Sequence, residues 1–363
     1  MYLDGFLDKA YNVISERHSF HEQVTRKLLP LKKEPSPNGV EGIVARAEKQ
    51  KLSCSVAGVD SGFVSKKLSF IDIVLVRAAG VVFHYKSGAL EKADYYPSAF
   101  SFPEPLPLKM GLESDEQAQS VSFERLKQEV GLSIRIIEKF KPKYLFIDGS
   151  IVPQYQDKPR KESAINEEYA GVVQLFQRLY FVAEKNSCTL IACVEDSRGT
   201  RFRQLLQEEI LPKRPLIQPH ELRDSFDASL LDYFLLQGER TFAFPYTQNT
   251  DSHAILKDYS PEWAKNIYVF YLKASDFDRP VRVEFICKGA EKDKSVLKSC
   301  ADEISSVVYA LSSLHREYSY PSVLIEADLR ARLNDQDISV VYDKLVDKLG
   351  PKVRMRRNAR PFK

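Results

Sequence analysis

The chain is poor in the residues that most often announce a chemistry. Its six histidines (His18, His21, His84, His220, His253 and His315) show no spacing that suggests a metal site and adjoin no motif serine, so a serine or cysteine hydrolase has no support. Five cysteines (Cys54, Cys188, Cys193, Cys287 and Cys300) form no Cys-x-x-Cys pair and stand beside no histidine at zinc spacing, a pattern that suits buried thiols in a reducing cytoplasm. Glycine is scarce too, at 15 residues, and no Walker-type phosphate loop occurs. No apolar run is long enough to cross a bilayer, and Met1-Tyr2-Leu3-Asp4-Gly5-Phe6-Leu7 lacks the basic region of a secretion signal; the expectation is a soluble cytoplasmic protein. Charge of one sign is also missing. With 53 Lys and Arg against 50 Asp and Glu the net charge is +3, so any affinity for nucleic acid must come from local patches. The clearest patch is Lys352, Arg354, Arg356, Arg357, Arg360 and Lys363, which reads either as a phosphate-contacting arm or as a solvated tail.

What is present is a substantial core: 363 residues, 44% of them hydrophobic, suffice for one large domain or two ordinary ones. Residues 1–30 carry Phe6, Leu7, Tyr11, Val13, Ile14, Val24 and Leu28 at roughly helical intervals, and Lys33-Glu34-Pro35-Ser36-Pro37-Asn38-Gly39 breaks that helix. Apolar runs at 54–60, 69–77 and 80–85, the last two separated at Ala78-Ala79-Gly80, predict an antiparallel meander. The segment 95–107 is too rich in proline for a helix or a central strand, and its aromatic residues suit loop packing or base stacking. Phe123, Leu126, Val130, Ile134 and Ile137 mark one face of a helix over about 115–140, and a strand at 143–148 follows. A second helix runs to about 186, then a strand at 189–194 and a helix near 199–210. Three strands, helix, strand, helix, strand, helix is the order of a ribonuclease H-like fold, an α/β mixed sheet flanked by helices in which a meander is extended by parallel strands. Further helices near 227, at 299–315 and after Pro321, with a hairpin at 266–287, complete the chain. The expected organisation is an N-terminal helix and linker (1–40), a ribonuclease H-like domain (41–335) with the hairpin inserted, and a C-terminal helix with a basic tail (336–363).

Acidic residues carry the chemistry in that frame. Asp60 closes Ser55-Val56-Ala57-Gly58-Val59-Asp60 and is followed by Ser61-Gly62; Asp148 closes Lys143-Tyr144-Leu145-Phe146-Ile147-Asp148 and is followed by Gly149-Ser150. Each alone reads equally well as a turn aspartate. Together, on strands that the element order makes neighbours, they suit an oxygen-only site for magnesium or manganese, whose paired ions clamp the attacking and leaving oxygens of a phosphodiester. Glu129 flanks the stripe of the intervening helix, where Glu124 and Glu138 compete with it. Asp227 is the expected fourth acid, with capping of its own helix as the other reading. Asp196 is a further candidate, and Arg198, Arg201 and Arg203 suit a phosphate backbone.

Gly58-Val59-Asp60-Ser61-Gly62, Glu129, Phe146-Ile147-Asp148-Gly149-Ser150 and Asp227-Ala228-Ser229-Leu230-Leu231 together resemble the NurA family of DNA repair nucleases over roughly 50–335. The resemblance implies a manganese-dependent single-strand endonuclease and 5′-to-3′ exonuclease, with magnesium as the alternative ion. It implies a homodimer that processes double-strand break ends with the hexameric HerA translocase. It makes Asp60, Glu129 and Asp148 catalytic metal ligands, joined by Asp227. Where family members tend to have a histidine after a Tyr-Pro segment, this chain continues Tyr320-Pro321 to Asp328, which either replaces that ligand or leaves its place empty. Two other readings stand beside this one: an actin- or sugar-kinase-like ATP-binding protein, from the Asp-x-Gly element, and a catalytically inactive ribonuclease H-like scaffold.

Overall fold

The computed structural model describes residues 2–68, 71–107, 111–214, 216–350 and 353–355. In chain order the strands are β1 (Val44–Arg46), β2 (Ser55–Lys67), β3 (Asp72–Lys86), β4 (Ala89–Tyr96), β5 (Glu104–Pro107), β6 (Tyr144–Asp148), β7 (Thr189–Val194), β8 (Glu239–Thr241), β9 (Phe244–Pro245), β10 (Ile267–Leu272) and β11 (Val281–Ile286). The helices are α1 (Tyr2–Leu28), α2 (Ser114–Phe140), α3 (Asn166–Lys185), α4 (Arg201–Leu205), α5 (Asp227–Phe234), α6 (Pro261–Ala264), α7 (Lys294–Ser312), α8 (Ser322–Ala331) and α9 (Asp335–Leu349). Their packing forms two compact units that cut across the expected division at residues 40 and 335. The first comprises Met1–Gln50, Cys193–Gln248 and Asn266–Pro321; the second comprises Lys51–Ala192, Asn249–Lys265 and the chain from Ser322 onward.

In the second unit the strands are ordered β7-β6-β2-β3-β4. β2, β3 and β4 form the antiparallel meander, and β6 adds to β2 in parallel. A parallel neighbour needs a long crossover, and α2 supplies it. Its stripe residues Phe123, Leu126, Val130, Ile134 and Ile137 are all buried. Two details of the meander differ from the sequence reading. Ala78-Ala79-Gly80 is not a break: β3 runs straight through it, and the third meander strand is β4. The small residues serve packing instead, because a Cβ on Gly80 would stand 2.1 Å from Ile136 Cδ1 of α2. The proline-rich segment also yields a strand, β5, which pairs with the Ile73–Val76 stretch of β3. Proline is tolerated there because β5 lies at a sheet edge.

In the first unit β10 and β11 form the expected hairpin, with β8 and β9 on β10 and β1 on β8. Val24 and Leu28 of α1 join a core with Phe202, Leu231 and Phe242. The rest of the stripe expected on α1 is exposed, namely Phe6, Leu7, Tyr11, Val13 and Ile14, so only its C-terminal half finds the burial its periodicity predicts. None of the five cysteines is in a disulfide. Among the described residues no helix is long and apolar enough to cross a membrane.

Candidate active site

The acids meet where β2 outruns its parallel neighbour. Val59 is the last β2 residue paired with β6, opposite Ile147; β6 ends one residue later at Asp148, whereas β2 continues to Lys67 against β3. Asp60 is thus not at the end of its strand, as the sequence suggested, but at the end of two-sided pairing. Asp60 and Asp148 follow the last matched pair on strands about 4.8 Å apart, and the pleat turns both side chains to the same side. Because β2 runs unbroken through Asp60-Ser61-Gly62, this segment is not the hairpin loop that an actin-like phosphate site would use.

Glycine spacing brings in a third carboxylate. Gly58 and Gly62 flank Asp60 on its own face of the strand, and α8 lies directly on them: added Cβ atoms would stand 2.7 Å from the Val323 carbonyl oxygen and 2.6 Å from that of Ala331. The helix so seated carries Asp328 between those two contacts, close enough for its charge to act on Asp60. On the opposite face, Ser61 Oγ donates to Glu129 Oε2 at 2.5 Å. Arg125, one turn earlier on α2, places Nη1 3.1 Å from the same oxygen and 3.4 Å from Ser61 Oγ. Glu129 is only 2% exposed, so an ordinary solvated glutamate is ruled out. Its competitors lie elsewhere: Glu124 pairs with Lys127 at 2.7 Å, and Glu138 is exposed.

The electrostatics of the cluster are those of a site short of positive charge. Burial, then the nearby Asp148 and Glu129, push the Asp60 carboxyl up to about 8, against the pull of the Ser61 N–H, with Asp328 adding to the rise. Burial pushes Glu129 up to about 7 despite Arg125 and Ser61, with Asp148 adding to the rise. Asp60, Asp148 and Asp328 line an open groove of about 820 Å³, along with Asp115, Asp157, Arg125 and Arg332, and Glu129 lies behind Ser61. Among the described residues no three His, Cys, Asp or Glu side chains are arranged as a metal site. The donor set nevertheless fits a hard divalent cation: it is oxygen-only, and its mutual repulsion is the kind that a cation removes.

The remaining expected site residues are placed otherwise. Asp227 belongs to the first unit, is fully buried, and accepts from Phe202 N and Arg203 N, both at 2.9 Å, and from Tyr271 Oη at 3.2 Å. It therefore caps α4 rather than its own helix, whose cap position is Phe226. Arg203 donates to the carbonyls of Leu222 and Arg223, and Arg201 is mostly covered beside Glu208; of the three arginines only Arg198 is exposed. Asp196 is exposed and pairs with Arg279 at 3.1 Å. Of the basic tail, Lys352, Arg356, Arg357, Arg360 and Lys363 lie outside the described residues.

Ser122, Arg125 and Asp157 are among the groove residues that escaped the sequence reading. Ser122 and Arg125 stand seven and four positions before Glu129, so helical spacing alone puts them on its face. Asp157 sits in the polar loop after β6, where Ser122 Oγ donates to its Oδ1 at 2.7 Å. Nothing local distinguishes it from its neighbours.

A meander extended by a parallel strand, with acids on two adjacent strands and the connecting helix, defines a ribonuclease H-like domain with a carboxylate site. The NurA domain matches residues 54–333, and the chain belongs to the NurA family. The fold matches the crystal structure of the NurA nuclease from Sulfolobus solfataricus at 15% identity and a TM-score of 0.56, covering 96% of this chain and 97% of that one. A NurA structure with manganese is similar at 11% identity and a TM-score of 0.48, covering 95% and 98% of the two chains. Endonuclease V of Ciona intestinalis in complex with inosine-containing DNA is similar at 11% identity and a TM-score of 0.33, covering 91% and 99%. None of the curated proteins searched matches the chain.

Proposed function

We propose that this chain is a metal-dependent nuclease that hydrolyses DNA phosphodiester bonds in the groove of its second unit, with manganese as the preferred ion and magnesium as the alternative. One observation carries this reading: Asp148, Glu129 and Asp328, far apart in sequence, all stand close enough to act on Asp60, beside a single groove that Asp60, Asp148 and Asp328 line. Asp60 and Asp148 would hold the cations, Asp328 would complete their ligands in place of a histidine, and Glu129 would hold an ion or orient the attacking water. When bound, such ions neutralise the phosphate and make water a competent nucleophile near neutral pH. Without ions, Ser61 and Arg125 keep Glu129 in place, and Arg125 and Arg332 offset charge along the groove. Asp227 acts through α4 on the stability of the first unit. Exposed Arg198 is available to a DNA phosphate.

Family membership supports the finer reading: single-strand endonuclease and 5′-to-3′ exonuclease action on double-strand break ends, by a homodimer working with a HerA-type hexameric ATPase. The unbroken β2 strand speaks against the ATP-binding alternative. The test is release of labelled nucleotides from single-stranded DNA with manganese, by the wild type and by Asp60→Asn. Cleavage by the wild type that is lost in the variant supports the proposal. A wild type that binds the ATPase but never cuts would mark an inactive scaffold, and equal cutting by the variant would remove Asp60 from the chemistry.

A further inference from the structure

We infer that Arg125 is a side chain with two stations: without cations it neutralises Glu129, and with cations and DNA present it holds a non-bridging oxygen of the substrate phosphate. The inference rests on the nuclease reading above. Both contacts of Arg125 use Nη1, to Glu129 Oε2 at 3.1 Å and Ser61 Oγ at 3.4 Å. Its Nη2 and Nε make no hydrogen bond among the described residues. The side chain is 29% exposed while that of Glu129 is 2% exposed, and Arg125 lines the groove that Asp60, Asp148 and Asp328 enter. A guanidinium therefore spans the boundary between a buried carboxylate and an open, acid-lined cleft, with N–H groups to spare.

Physical chemistry makes this position bistable. A guanidinium binds carboxylate and phosphate oxygens with the same geometry, so exchanging one for the other costs little. Once divalent cations occupy the cluster, Glu129 no longer needs a monovalent partner and the cations repel the guanidinium. The phosphate that arrives in the groove is then the nearest unpaired anion. Arg125 would thus be a substrate-contacting residue that also tunes metal affinity, in opposite directions.

The test uses the full chain as wild type, Arg125→Gln, Arg125→Lys and Asp60→Asn. Calorimetric titration with Mn²⁺ in the absence of DNA reads the first station. Binding of a fluorescent oligothymidine in Ca²⁺ over a range of salt reads the second. Arg125→Gln is expected to bind Mn²⁺ about tenfold more tightly, having lost a competing charge. It is also expected to reduce the salt slope of DNA binding by about 0.7, the contribution of one single-strand phosphate contact. Arg125→Lys, which keeps the charge, is expected to restore both values towards the wild type and guards against a folding defect in the glutamine variant. Unchanged Mn²⁺ affinity or an unchanged salt slope in Arg125→Gln overturns the inference, as does failure of lysine to rescue. Asp60→Asn separates the two levels. Loss of Mn²⁺ binding there, with Arg125→Gln behaving as wild type, sinks only the role of Arg125. Unaltered binding and cleavage by Asp60→Asn sinks the nuclease site itself.

Discussion

A Cβ built on Gly58 would lie 2.7 Å from the carbonyl oxygen of Val323, so the backbone of α8 rests on the bare face of β2. That contact fixes how far Asp328 stands from Asp60. Gly58→Ala is therefore expected to destabilise the protein by about 1–3 kcal/mol, the usual cost of overpacking where backbone must yield. It should also weaken manganese binding although no ligand has been touched. Urea unfolding and metal titration of the same variant check this, and an alanine variant of wild-type stability and affinity would show that α8 sits elsewhere.

The raised carboxyls of Asp60 and Glu129 give a signed pH dependence. Asp60 has a folded value of about 8 against an ordinary value of 3.8, and Glu129 about 7 against 4.5. Over that interval the folded state holds protons that the unfolded chain has released, so stability is full below the ordinary values and falls as pH rises towards 8. The metal-free protein should melt at progressively lower temperature from about pH 5 to about pH 8. Asp60→Asn should flatten that slope, and manganese should raise the melting temperature most at the alkaline end, since a ligand of the folded state stabilises it. A metal-free melting temperature that climbs over the same range contradicts the assignment.

Asp227 and Asp60 should fail in different ways. Removing the Asp227 carboxylate strands the buried N–H groups of α4, at a cost of about 3 kcal/mol for Asp227→Ala. Manganese affinity of the folded variant should stay at the wild-type level. Denaturant midpoints and metal titration distinguish this from a ligand role, which would lower affinity and leave stability nearly untouched.

Ser61→Ala tests the support of Glu129. The hydroxyl donates to a carboxylate of very low exposure, and its loss is expected to cost about 1.5–3 kcal/mol, the range for hydrogen bonds to charged groups. Cleavage should fall without being abolished, because Glu129 keeps its place on the buried face of α2. An alanine variant with wild-type stability and rate would take Ser61 out of the site.

Much of the fold was legible because its signals are local. The stripe from Phe123 to Ile137, the apolar run ending at Asp148 and the hairpin at 266–287 each follow from periodicity and composition within a few residues. The candidate site was legible in part for the same reason: Asp60 and Asp148 end matched apolar runs. What was hidden depends on contacts across the chain. Gly80 reads as a break until Ile136 is seen to need the space, and Gly58 and Gly62 read as a phosphate loop until α8 is laid across them. Asp227 reads as a local cap, while its partners are Phe202 and Arg203. Asp157 offers no pattern at all; only the fold brings it opposite Ser122.

The short strand β5 has a consequence beyond the site. Pro105 and Pro107 both carry nitrogens without hydrogen, and they alternate with Glu104 and Leu106 along the strand that covers one flank of β3. An incoming strand would find no amide donors at these positions, and along β4 it would meet the exposed charges of Glu91 and Lys92. This flank therefore offers little for a longer ribbon to pair with, the edge chemistry that disfavours polymerisation of a sheet-rich chain.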